Sequence, residues 1–222
     1  MNTVNQDLAD CLLVFDWNGT IMDDVDRAVD SINVVLSEHG LPRQDRKTFQ
    51  KSFILPMRDW ISSLGFAADD ADTADRRVYE EMLKKPSPAR QDAAEALRDL
   101  RIRGAQLGVV SAAQANTVTT DMARENLTIH FDFVATDVHD KLNFLHNVDT
   151  DRRLVYVGDT DYDIRSARAA GAQAIAIAGG YQDRQLLESA GPDALVDSLG
   201  EVGTAAAALA NGHTKVDLAH FP

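Results

Sequence analysis

The chain has 222 residues, 45% hydrophobic and 26% charged, the composition of a folded globular protein long enough to bury a substantial core. Its 22 lysines and arginines stand against 35 aspartates and glutamates, and the formal charge of −13 repels a nucleic acid backbone or an anionic membrane. The single cysteine, Cys11, excludes an intrachain disulfide and a cysteine-based zinc site, and no apolar run approaches the ~18 residues that a membrane span needs. A cytoplasmic protein with no nucleic acid and no membrane partner is the expectation.

The first expected element is a strand over 11–15, "CLLVF", which runs directly into Asp16 and a Trp17-Asn18-Gly19-Thr20 turn. From residue 24 to 85 no strand pattern appears. Val25, Val29, Ile32 and Leu36 mark one helical face that stops at Gly40, Trp60, Ile61 and Leu64 mark a second, and Val78 with Met82 a third. "KKPSP", residues 84–88, resists helix and returns the chain to the alternating part. There "DAAEALRDLRIRG" predicts a helix with Ala93, Leu97 and Leu100 on one face and Gly104 as its stop. Strands follow at 106–110, 132–136, 154–158, 174–178 and, weakly, 194–196, with helical stretches between them. "GTAAAALA" reads as a terminal helix, and the tail "NGHTKVDLAHFP" carries no readable pattern. Almost wholly apolar strands alternating with helices indicate an α/β fold with a doubly wound parallel sheet covered on both faces. The expected organisation is a core domain of residues 1–23 and 86–222, interrupted by a helical lobe of residues 24–85.

In an open α/β sheet, ligands bind beyond the carboxyl ends of the strands. The strand at 11–15 ends at Asp16, the strand at 106–110 at Ser111, and the strand at 154–158 at "GDTDYD", which carries Asp159, Asp161 and Asp163. A single aspartate after a strand is most simply a turn or cap residue. Several directed at one crevice repel each other unless a cation lies among them, and oxygen-only ligands favour a hard ion such as Mg²⁺. Gly19 and Gly158 keep the carboxylate turns narrow enough for close backbone approach. Lys141, in "HDKLNFL", is a candidate point charge for a phosphate.

In that order "FDWNGT", "VVSA", Lys141 and "GDTDYDIRSARAAG" resemble the four motifs of the haloacid dehalogenase superfamily, most of whose members are Mg²⁺-dependent phosphatases. The resemblance covers residues 11 to 199, and "AIAIAGGY" is similar to its phosphoglycolate-phosphatase-like members. It implies that the inserted lobe is a small α-helical cap. It also implies that Asp16 is the nucleophile, that Ser111 and Lys141 contact the transferring oxygens, and that Asp16, the Asn18 carbonyl, Asp159 and Asp163 hold Mg²⁺. Gly19, Thr20 and Ala112 are expected at the substrate, a small phosphorylated metabolite.

Asn18 departs from the family pattern, which has a second aspartate there to protonate the leaving oxygen and then activate water. An amide does neither. Three readings follow: a phosphatase whose substrate has a good leaving group or whose cap supplies the acid, with Asp23 and Asp24 nearby; a phosphate-binding or regulatory protein without useful turnover; and a phosphonate-cleaving hydrolase using Lys47 or Lys51 to form an imine. The expected order is the one given. His139 and His146 are expected at the surface, Trp17 beneath the turn or at the cap interface, and Phe49, Phe53 and Trp60 in the cap core. "GGYQDR", residues 179–184, follows a strand end and is expected to border the crevice.

Overall fold

The structure, a computed structural model, describes residues 6–67, 69–210 and 216–217. Strand β1, Cys11–Phe15, is followed by four helices: α1 (Val25–Glu38), α2 (Arg46–Ser52), α3 (Met57–Ser63) and α4 (Ala71–Lys84). The alternating part then runs α5 (Ala93–Ile102), β2 (Gln106–Val110), α6 (Ala115–Arg124), β3 (Phe133–Ala135), α7 (Lys141–His146) and β4 (Arg153–Gly158). It continues through α8 (Asp161–Ala169), β5 (Gln173–Ile177), α9 (Arg184–Ala190), β6 (Ala194–Val196) and α10 (Val202–Ala210) to β7 (Val216–Asp217).

All the strand pairings are parallel, in the order β3-β2-β1-β4-β5-β6-β7. Alternation along β1 explains why its whole run is apolar. Leu13 and Phe15 join one core with Leu97 and Leu100 of α5 and Val202 of α10, whereas Leu12 and Val14 join another with Ile164 of α8 and Leu187 of α9. β7 corrects the reading of the tail: Val216 and Asp217 pair with Ala194 and Leu195 and extend the sheet at its edge.

Helices α1 to α4 bury a core of their own. Val25, Ile32 and Leu36 of α1 meet Phe49, Trp60, Val78 and Met82, as the helical spacing of those residues requires. This helical cap is tied to the sheet at the loop after β5. The Gln50 side-chain amide donates to the Gly180 carbonyl at 2.7 Å, Gln182 donates to the Phe53 carbonyl at 2.8 Å, and the Tyr181 ring packs edge-on against Phe49 and Phe53. The cap therefore lies over the carboxyl ends of the strands.

Candidate active site

β1 lies between β2 and β4, so Asp16, Ser111 and Asp159, each the first residue beyond its strand, emerge side by side. All three are buried. Lys141 opens α7 and is 0% exposed, with Nζ 2.6 Å from Asp163 Oδ1 and 3.0 Å from Asp16 Oδ2. Burial works against the Lys141 charge, but Asp16 and Asp163 outweigh it and hold its pKa well above the ordinary lysine value.

The carboxylates are positioned individually. Asp159 accepts from the Thr20 hydroxyl at 2.7 Å on one oxygen and from the Tyr181 amide at 2.6 Å on the other. Asp163 sits in the first turn of α8, where it forms a capping box with Thr160: its Oδ2 accepts from the Thr160 amide at 3.1 Å and hydroxyl at 2.6 Å. Its Oδ1 accepts from Lys141. Two glycines make room. A Cβ at Gly19, which has φ of +73°, or at Gly180 would come within 2.2 Å of Asp159 Oδ2.

Ligand atoms of Asp16, Asp159 and Asp163 lie within 4.8 Å of one another. Burial raises Asp16 to about 6 despite the pull of Lys141, and burial together with the Asp16 and Asp163 charges raises Asp159 to about 8. Fully ionised, the three carboxylates and one ammonium leave two negative charges uncompensated, the deficit a divalent cation supplies. The donor set is all oxygen, so the residues fit a hard divalent ion.

Asn18 takes part in a different network. Its side-chain amide donates to Asp24 Oδ2 at 2.5 Å, and Asp24, which is 0% exposed, also accepts from the Gly19 amide (2.8 Å), Arg27 (2.9 Å) and the Tyr181 hydroxyl (3.3 Å). Only the NH₂ of an amide can face a carboxylate, so the Asn18 oxygen is the atom left for the cavity. Burial still raises the Asp24 pKa against Arg27 and these hydrogen bonds. Arg27 in turn forks onto Asp121 of α6 at 3.1 and 2.8 Å, joining cap to core. Arg90 clasps the same turn from outside, donating to the Gly19 and Ala178 carbonyls at 2.6 and 3.0 Å.

Asp16, Asn18, Ser111, Ala112 and Lys141 line one cavity beneath the cap. Gly19 and Thr20, expected at the substrate, do not: Thr20 is fully buried with its hydroxyl committed to Asp159, and Gly19 packs against that same carboxylate. Of the two nearby carboxylates, Asp23 is exposed, Asp24 accepts from Asn18, Gly19 and Arg27, and neither lines the cavity. Lys47 and Lys51 are exposed and do not line the cavity. His139 and His146 are exposed, and Trp17 is buried edge-on to Phe131. Phe49, Phe53 and Trp60 are cap core and line the cavity as well. Sequence reading missed Arg27, Asp121 and Arg90, since nothing local marks an arginine whose partner is 94 residues away.

Among the described residues no helix is long and apolar enough to cross a membrane. A family model for haloacid dehalogenase-like hydrolases matches residues 13–177. The phosphoglycolate phosphatase of Synechococcus elongatus is 26% identical over 196 residues, covering 84% of this chain and 92% of its own. A Dickeya dadantii protein named "Probable phosphatase IndB" is 26% identical over 216 residues, covering 89% and 94%. A crystal structure of a predicted phosphatase from Clostridium acetobutylicum superimposes with a TM-score of 0.77 at 18% identity, over 89% of this chain and 97% of that one.

Proposed function

The chain belongs to the haloacid dehalogenase-like hydrolases, and from that membership we propose that it is a Mg²⁺-dependent phosphatase acting on a small phosphorylated metabolite through an aspartyl-phosphate, with a cap over residues 24–85. The observation that carries this reading is the convergence of Lys141, Asp159 and Asp163 on Asp16, which lines the cavity together with Lys141 and Ser111, while Asp159 and Asp163 lie buried behind it.

Asp16 is the nucleophile. Its Oδ forms a bond to phosphorus as the bond from phosphorus to the leaving oxygen breaks, and water then releases inorganic phosphate and regenerates the carboxylate. A residue fixed at a strand end between two neighbouring strands loses little freedom on reaching that geometry. The Lys141 ammonium and the Ser111 hydroxyl supply positive charge and a donor to the transferring oxygens, and the cap excludes water from the transfer. Asp16, Asp159 and Asp163 are the side chains that would hold Mg²⁺, with the Asn18 main-chain carbonyl as a further ligand. The bound cation screens the repulsion between an anionic nucleophile and an anionic substrate. Thr20, Tyr181 and Thr160 act behind these groups by orienting Asp159 and Asp163.

Asn18 sets the limit on chemistry. General acid and base help contributes about 10²–10⁴ in rate, roughly 3–5 kcal/mol of barrier. Without it the enzyme favours leaving groups that depart as stable anions, such as aryl oxides and carboxylates. The test is phosphate release from acetyl phosphate and p-nitrophenyl phosphate, with and without Mg²⁺. Release that needs the cation and disappears in Asp16→Ala supports the reading. Binding of a phosphate mimic without release from any substrate makes the chain a phosphate-binding protein instead.

A further inference from the structure

The cavity above Asp16 is built of two unlike halves. Its floor is polar and charged, as described, whereas the cap contributes Ile32, Phe53, Leu55, Met57, Val78 and Met82 to the wall. Among the described residues no charged side chain of the cap lines it. The cap's few polar atoms there are mostly occupied: the Trp60 indole donates to the Ser52 hydroxyl at 3.2 Å, and the Tyr181 hydroxyl, reaching in from the core, is bound to Asp24. The Tyr79 hydroxyl has no hydrogen-bond partner among the described residues. The cationic side chain lining the cavity is Lys141, already shared between Asp16 and Asp163 at the floor.

A substrate held with its phosphoryl group on Asp16 has its remaining part against this wall. A carboxylate or polyol there gives up its hydration and finds no cation and almost no donor, a cost that an alkyl or aryl group does not bear. We propose that the substrate is an organic monophosphate whose organic part is apolar and bears no charged group of its own, as in an aryl phosphate, seated against Ile32, Phe53, Met57, Val78 and Met82. This inference rests on the phosphatase reading of the floor. It separates this chain from a substrate such as phosphoglycolate, whose carboxylate finds no cation in the wall and at most the Tyr79 hydroxyl as a donor.

Phosphonates test it, because they bind without turnover and remove the influence of leaving-group acidity. The full chain with Mg²⁺ is titrated by calorimetry with methylphosphonate, benzylphosphonate and phosphonoacetate. Benzylphosphonate is expected to bind at least tenfold more tightly than methylphosphonate, and phosphonoacetate no more tightly than methylphosphonate. Met57→Lys, at a half-buried position of the wall, is expected to reverse the order of benzylphosphonate and phosphonoacetate. Equal binding of all three ligands to the unaltered chain, or tightest binding of phosphonoacetate, overturns the apolar-substrate inference and leaves the phosphate site standing. No binding of any of the three overturns both.

Discussion

The floor and the roof of one cavity obey opposite rules. On the floor, four ionisable groups are buried where charge is individually costly, and each is paired or hydrogen-bonded: Lys141 with Asp16 and Asp163, Asp159 with Thr20 and the Tyr181 amide. The roof buries side chains that need no partner, and its identity is set by size and shape. The ionisable groups therefore sit at strand ends and in the first turns of α7 and α8, and the apolar wall comes from the cap.

Changes to the floor should sharpen this contrast most. Asp16→Ala is expected to reduce Mg²⁺-dependent phosphate release by at least about 10⁴-fold while circular dichroism stays native, since the sheet loses no apolar contact and Lys141 keeps Asp163 as its partner. Lys141→Met keeps the shape of the side chain and removes a donor to the transferring oxygens. A loss of about 10²–10³-fold in kcat is expected, measured by initial rates at saturating substrate.

Asn18 and Asp24 offer a subtler break. Asn18→Asp alone sets two carboxylates at the position of a 2.5 Å hydrogen bond inside a buried network. It should cost about 1.5–3 kcal/mol of stability, read by denaturant unfolding, and gain little activity because the shared proton lies between the two acids. Pairing it with Asp24→Asn reverses donor and acceptor and restores the bond. The double variant should regain only part of that stability, because the new amide NH₂ cannot accept from Arg27 as Asp24 Oδ2 does, and should hydrolyse simple alkyl phosphates about 10²-fold faster than the unaltered chain. A single variant that is fully stable and fast contradicts the assigned role of Asp24.

The smallest effect concerns pH. Asp159 is raised to about 8 and Asp16 to about 6, above their unfolded values, so before a cation binds Asp159 holds a proton near neutrality and Asp16 takes one up as the pH falls toward 6. Cation binding requires the carboxylates, so Mg²⁺ affinity should be full above pH 8 and weaken as pH falls toward 6, by at most about tenfold per unit for each proton displaced. Thermal stabilisation by Mg²⁺ should shrink over the same interval. Calorimetry in buffers of different ionisation enthalpy checks the proton release, and an affinity independent of pH contradicts it.

Much of the floor was legible in the sequence, because an apolar run that ends on a polar residue is a local signal. "CLLVF" before Asp16 and "LVYVG" before Asp159 each display strand, terminus and functional group within a few residues. The pairing of Asn18 with Asp24 was less visible, although only six residues apart, because a carboxylate at a helix start has an adequate explanation as a cap. Arg27 with Asp121 and Tyr181 with Phe49 depend on how the cap closes, which no local pattern encodes. The roof was unreadable for a related reason: Phe53 and Trp60 satisfy the same helical spacing whether they face a neighbouring helix or a ligand, and here they do both. β7 escaped because two residues at a sheet edge make too short a pattern to detect.

Rapid-quench mass spectrometry is the most direct test of the central claim. With acetyl phosphate and Mg²⁺, quenched before steady state, the peptide containing Asp16 should carry a phosphoryl group that hydroxylamine removes, and Asp16→Ala should carry none. Steady turnover with no phosphorylated peptide, or with the group on another residue, contradicts the account.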